Sequence, residues 1–219
     1  VLKLRDPVSG LETNKGLAIT TDGNHRWCAV NPRVGTKLIV AEGLMNLACV
    51  GAHPLALVNC LNFGNPENPQ VMWELSESID GMAEACKGFG IPVVGGNVSL
   101  YNESSGVNIS PTPVVGLVGK IEELYRKPPG FELLEGNRLV LLGPSHIDVG
   151  GSLWSALHGL NSGGLIDVDL ETHKVLADLV RSLVSDGIID GIHDLSAGGL
   201  GVALAEMVAK SKFGITVAR

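Results

Sequence analysis

Apolar positions follow two rhythms along this chain, one of period two and one near 3.6, and the rhythms alternate. Leu17-Ala-Ile-Thr-Thr21 is short and β-branched and predicts a strand, stopped by the turn signal Asp22-Gly23-Asn24. Thr36 can cap a helix running to about Val50, with Gly51 just past its end. Within it Glu42 and Asn46 stand four apart and share a face. Pro54-Leu-Ala-Leu-Val58 predicts a second strand that runs into an Asn-rich loop over 59–66. A helix starts near Pro69, carries Met72, Leu75, Ile79, Met82, Ala83 and Cys86 on one stripe, and closes at Gly90. Trp73 falls at the edge of that stripe and reads as packing. Ile91-Pro-Val-Val94 and Pro113–Gly119 read as further strands, the first opening into Gly95-Gly-Asn-Val-Ser-Leu-Tyr-Asn-Glu103.

The charged, proline-bearing stretch 122–137 reads as a linker between a first unit (1–121) and a second (138–219). The second unit begins with a strand, Arg138–Leu142, and a glycine turn, Asp148–Ser152, that leads into a short helix. Asp169 caps a long amphipathic helix that ends at Gly187, with Leu176, Leu179, Val180, Leu183 and Val184 inward. Ile188–Ile192 reads as a strand, and His193-Asp-Leu-Ser-Ala-Gly-Gly199 opens a last helix through Ala209. Strands and helices interleave in both units, which argues a mixed α and β organisation.

Charge removes one class of partner. Lys and Arg number 16 against 23 Asp and Glu, a formal charge of −7. So few cations make a poor match to a phosphate backbone, so nucleic acid is not an expected partner. The longest apolar tract, Leu38 to Leu61, is broken by Glu42, Asn46, His53 and Asn59, so no membrane span is expected. Cys28, Cys49, Cys60 and Cys86 lack C-x-x-C spacing and sit in apolar stretches, as thiols do in a reducing, cytoplasmic compartment. The first residue is not Met and the last five, Ile215–Arg219, read like a cut strand, so the sequence reads as a piece of a longer protein.

Glycine is abundant, 29 residues of 219, nearly twice the usual ~7%. Gly95-Gly96-Asn97-Val98-Ser99, Gly150-Gly151-Ser152 and Gly198-Gly199 stand at expected strand–helix junctions, where backbone N–H groups can approach a phosphate. None is a G-x-G-x-x-G or a Walker A loop, and each alone reads as a turn. The oxygen-bearing residues say more. Asp22, Glu42, Asn46, Asn59, Asn97 and Asp194 all lie in or beside apolar elements. Magnesium takes oxygen ligands and needs only one or two from protein, with phosphates and water completing its octahedron. The set therefore points to a Mg–nucleotide site. Cys60 has no His near it in sequence, and His53 and His193 read as turn and strand-end residues, so no catalytic residue is assigned.

Several long motifs occur in a telling order: Thr21-Asp-Gly-Asn24, Ala41-Glu-Gly-Leu-Met-Asn46, Asn59-Cys-Leu-Asn-Phe-Gly-Asn-Pro-Glu67, Val71-Met-Trp73, Gly95–Glu103 and Pro111-Thr-Pro-Val-Val-Gly116. Together they resemble the synthetase subunits of formylglycinamidine ribonucleotide synthase, in their small multi-subunit form, within the aminoimidazole ribonucleotide synthetase-like superfamily. The resemblance implies an α+β fold. It comprises a synthetase-like N-terminal domain, whose small sheet is backed by two helices, and an incomplete ferredoxin-like C-terminal α/β domain. It implies a ligase of purine biosynthesis that uses ATP and Mg²⁺ and works with a glutaminase subunit and a small bridging subunit. By the same resemblance Asn59 and Gly96 meet ATP, Asn97 holds Mg²⁺, and Ser99 meets the substrate. Asp22, Glu42, Asn46 and Asp194 form a second tier of nucleotide and metal ligands. The family often has Asp where this chain has Asn59, which keeps an oxygen and loses a charge. The resemblance also implies that the sheet pairs with a partner domain, so that this piece alone would dimerise and be inactive. Two other readings are another ATP-dependent phosphotransferase of the superfamily (aminoimidazole ribonucleotide synthetase, selenophosphate synthetase or thiamine-monophosphate kinase type) and a scaffold that binds no nucleotide.

Overall fold

The structure, a computed structural model, describes residues 1–146, 149–160 and 164–217. Its elements in chain order are β1 (Leu2–Arg5), β2 (Glu12–Gly23), α1 (His25–Val30), α2 (Pro32–Ala48), β3 (His53–Asn62), α3 (Pro69–Phe89) and β4 (Val93–Ser99). They continue with β5 (Glu103–Ser104), β6 (Val107–Asn108), β7 (Thr112–Ile121), α4 (Leu153–Leu157), α5 (Leu170–Asp186) and α6 (Gly199–Lys210). One mixed sheet has the order β1-β2-β7-β3-β4. Only β3 and β4 run parallel, joined by the crossover helix α3.

Helices α2 and α3 cover one face of this sheet. Ile39, Val40, Leu44 and Leu47 from α2, with Val71, Met82 and Ala85 from α3, bury Leu57, Leu61, Val115 and Leu117. The helices meet closely because Gly81 has no Cβ, and a methyl there would run into the Arg33 backbone. Among the described residues nothing covers the opposite sheet face. Ile19 is 58% exposed and Val58 43%, although each lies in an apolar strand.

Several expected boundaries move, each for a local reason. Helix α2 begins at Pro32 rather than Thr36, because Asn31 accepts from the Val34 N–H at 3.0 Å and proline suits the first turn. Thr36 lies inside the helix, fully buried, and donates to the Pro32 carbonyl at 2.7 Å. A short helix, α1, precedes it, capped by Asn24. Strands β3 and β4 run on through the Asn-rich and Gly-rich stretches expected to be loops, because the two strands pair with each other along those stretches. On α3 the stripe is only partly inward: Met82 and Cys86 are buried while Met72 and Ile79 are exposed.

Helix α5 has the expected caps, with Asp169 accepting at its start and Gly187 left-handed at φ 72° at its end. It buries Ala177, Val180 and Val184, whereas Leu179 faces out. It packs on α2 and α3. Lys37 reaches Asp167 at 2.5 Å and Glu84 at 3.4 Å, and His173 Nε2 lies 2.8 Å from the Ala41 carbonyl. The two strands expected here do not form. Arg138–Leu142 lies in no ladder and Val140 is 74% exposed, while 188–192 makes a single parallel bridge, Gly191 to Gly130. Extended backbone becomes a strand only when a neighbour takes its N–H and C=O groups, and among the described residues no segment pairs with 138–142, although Arg138 and Leu139 line a cavity with Ile188–Gly191. Asp148 of the expected glycine turn, and the last two residues of the sequence, lie outside the described residues. No helix is long and apolar enough to cross a membrane, among the described residues.

Candidate nucleotide and metal site

The parallel pair β3–β4 sets the first group of candidate residues side by side. Asn59 lies opposite Gly96, Cys60 opposite Asn97, and Asn62 opposite Ser99. The Asn59 amide donates to Met82 Sδ on α3 at 3.5 Å, so this side chain occupies the helix-covered face. It lies flat across the neighbouring strand. A Cβ at Gly96 would collide with both the Asn59 side-chain oxygen and its backbone carbonyl. Glycine at 96 is thus the residue that leaves room for that amide beside exposed edge-strand backbone.

Strand alternation then divides the set. Successive side chains point to opposite faces. Asn97 and Ser99 therefore share the uncovered face with Cys60 and Asn62, while Asn59 and Gly96 share the covered one. The expected convergence of the Asn59 and Asn97 oxygens on one cation pocket is not met by this chain's side chains. The backbones are adjacent, but the oxygens diverge.

Beyond Ser99 the chain is clamped to the end of β3. The Asn102 amide donates to the Phe63 carbonyl (3.0 Å), the Ser99 carbonyl (2.9 Å) and Ser99 Oγ (3.1 Å). The Phe63 N–H donates to the Ser99 carbonyl at 3.0 Å, and the Asn65 N–H to Asn108 Oδ1 at 2.8 Å. Asn102 and Asn108 hold this strand end together, and sequence reasoning did not single them out. The signal was present: both are amides within six residues of a turn-rich stretch, Glu103–Gly106.

The second tier gathers elsewhere on the covered face. Asp22 and Asn59 both face Val115 from opposite sides, so Gly96, Asn59, Val115 and Asp22 form one row across the sheet. Two strand spacings put Asp22 about 10 Å from Asn59. Asn46 donates to Asp22 at 2.9 Å and to Thr20 Oγ1 at 3.3 Å, and Thr20 donates to Asp22 at 2.9 Å. Glu42, on the same face of α2, is pushed up to about 7, first by burial and then by the charges of Asp22 and Asp194. Asp22 is raised by burial and by Asp194 as well. Asp194 follows His193, whose Nε2 lies 2.7 Å from Glu206 and whose Nδ1 is 3.4 Å from Asp194. Three carboxyls from β2, α2 and the loop before α6 thus repel one another, and Asn46 ties only Asp22. Among the described residues, no three His, Cys, Asp or Glu side chains close on a point that would hold a metal. The chemistry of the donor set still suits a hard cation, which would relieve that repulsion.

This is an α+β protein with amide and carboxylate oxygens held along a half-covered mixed sheet. Family comparison agrees. The AIR synthase related protein N-terminal domain matches residues 5–121 and the corresponding C-terminal domain matches 135–219; the chain belongs to the AIR synthase related protein family. It is 46% identical over 203 residues to phosphoribosylformylglycinamidine synthase subunit PurL of Renibacterium salmoninarum, covering 93% of this chain and 26% of that protein. The chain spans about a quarter of the length of the curated relatives it matches. Among solved structures it is similar to T. maritima PurL complexed with AMPPCP and to the same protein complexed with FGAR. Each has TM-score 0.56 and 27% identity over 80% of this chain, which spans 25% and 24% of those chains.

Proposed function

We propose that this chain forms one wall of an ATP-dependent synthetase of purine biosynthesis. The reaction joins ammonia, released from glutamine, to formylglycinamide ribonucleotide and yields formylglycinamidine ribonucleotide, ADP and phosphate. ATP activates the amide oxygen as its phosphate ester, and ammonia then displaces phosphate. Two findings support the reading. The similar T. maritima protein has solved structures complexed with AMPPCP and with FGAR. The observation that carries it in this chain is the Asn59–Gly96 pair, an amide laid over a glycine that has no room for a side chain.

In this reading Gly96 and Asn59 border ATP, and Asn97 offers its amide oxygen to Mg²⁺ on the exposed edge strand. Ser99, fixed by Asn102, meets the ribonucleotide. Asp22, Glu42, Asn46 and Asp194 serve a second nucleotide and metal position, where a cation would supply charge neutralisation. The chain's own work is to hold these oxygens at fixed spacing and keep the Asn59 amide flat. Residues 1–121 and 138–219 act as two domains around the linker 122–137. A glutaminase subunit and a small bridging subunit complete a cytoplasmic complex, and the uncovered sheet face pairs with a partner domain or, in this piece alone, with a second copy.

The test is Asn97→Ala in the assembled synthase. Losing a group that stabilises charge in phosphoryl transfer lowers turnover by about 10²-fold or more. ADP release dependent on formylglycinamide ribonucleotide should fall by that factor, and normal turnover would refute the role. A wild-type synthase that releases ADP only with a different acceptor would refute the substrate.

A further inference from the structure

Tyr101 sits two residues beyond Ser99 with φ 59°, in the left-handed region. A side chain with a bulky Cβ substituent rarely adopts that conformation, and glycine does so freely. The strain is locked in from both sides. The Tyr101 N–H donates to the Gly64 carbonyl at 2.9 Å. Asn102 pins the next residue to Phe63 and Ser99 through three side-chain bonds, and its carbonyl accepts from the Ile109 N–H at 3.1 Å. The following hairpin, β5–β6, turns through Ser105 and Gly106, both also left-handed.

This strain does not serve packing. Leu100 lies against the core, but the Tyr101 residue is 59% exposed, and among the described residues its hydroxyl has no hydrogen-bond partner. The ring is held out at the carboxyl ends of the parallel strands β3 and β4. Ligands bind in the crevice outside such ends in open α/β sheets. Strained residues kept by an over-determined surrounding cluster at ligand sites, where pre-organisation uses them.

We infer that Tyr101 is a substrate-positioning residue, its ring packing along the sugar of the ribonucleotide beside Ser99 and its hydroxyl donating to a polar group of that substrate. The inference rests on the functional reading above and adds a contact to it. Its test separates strain from binding. Tyr101→Gly relieves the backbone and removes the ring; Tyr101→Phe keeps the ring and removes the donor. In the assembled synthase, KM for formylglycinamide ribonucleotide should rise about tenfold in Tyr101→Gly and about threefold in Tyr101→Phe, with KM for ATP within about twofold of wild type. The Tm of Tyr101→Gly should not fall. A Tyr101→Gly enzyme with wild-type KM for the ribonucleotide overturns the assignment, as does a loss of ATP affinity and Tm in parallel. If wild-type synthase does not use formylglycinamide ribonucleotide at all, the functional reading fails, and this contact with it.

Discussion

Replacing Glu42 by Gln should make the protein more stable, and much more so above neutral pH than in acid. Glu42 is held up to about 7 by burial and by Asp22 and Asp194, whereas in the unfolded chain it titrates near its ordinary 4.5. The native state therefore binds more protons than the unfolded state between those values. Stability falls as pH rises through that window, because ionisation is forced against the neighbouring carboxylates. The full displacement would correspond to about 3 kcal/mol; partial solvent access to Glu42 reduces this to about 2 kcal/mol. Gln keeps the shape and cannot ionise. A chain of this size gains about 2–4 °C in Tm per kcal/mol. Thermal melts at pH 8 should thus place Glu42→Gln about 4–8 °C above wild type, and at pH 5 about 1–2 °C above it. A gain that is the same at both pH values would show that packing, not charge, governs the site, and no gain at pH 8 would refute the electrostatic account. Millimolar magnesium should narrow the gap at pH 8 by stabilising wild type more than the variant.

Three other outcomes follow from the same geometry. Gly96→Ala drives a methyl into the Asn59 amide and carbonyl, so it should cost about 1–3 kcal/mol in denaturant unfolding; a wild-type unfolding midpoint would show that Asn59 does not lie where the structure has it. Lys37 of α2 pairs with Asp167, just ahead of α5, and since Asp167 is half exposed, a double-mutant cycle of Lys37→Met with Asp167→Asn should return a coupling of only about 1 kcal/mol; a coupling near zero would mean that this ion pair adds nothing to the docking of α5. Burial pushes the Cys28 and Cys49 thiols up to about 12 and Cys86 up to about 11, so intact-mass analysis after native alkylation at pH 7.5 should find one adduct, at Cys60 on the uncovered sheet face, and adducts on the other three would contradict the packing around α2 and α3.

Local chemistry made the long elements of this fold readable. Asp169 and Gly187 bracket α5, and Pro69 and Gly90 bracket α3, because caps and proline act within a turn of the residues that need them. What sequence missed depends on a neighbour that is distant in the chain. Asn59–Asn62 and Gly95–Ser99 look like loops by composition, since Asn and Gly disfavour strands. They are strands because each is the other's partner. Conversely Arg138–Leu142 has strong strand composition and no ladder, because pairing requires a second segment in register with it.

The candidate site was legible as a set of residue types and illegible as a shape, for the same reason. The family resemblance grouped Asn59, Gly96, Asn97 and Ser99 in loops, and register sets them on one pair of strands. But the difference between residues 96 and 97 is one step in a period of two, which moves a side chain through the sheet from the helix-covered face to the open one. A loop would have let Asn59 and Asn97 turn toward each other; a paired strand forbids it. The row Gly96–Asn59–Val115–Asp22 then links the first candidate group to the second along the covered face, while Asn97 and Ser99 look out from the uncovered face beside Val58 and Cys60. A cation held by Asn97 must accordingly find its remaining ligands on something that covers the open face. A cation among Asp22, Glu42 and Asp194 needs only the approach of the loop before α6. The two groups should therefore respond differently to dilution of the assembled protein: magnesium stabilisation that depends on Glu42 should persist, and any that depends on Asn97 should be lost with the partner.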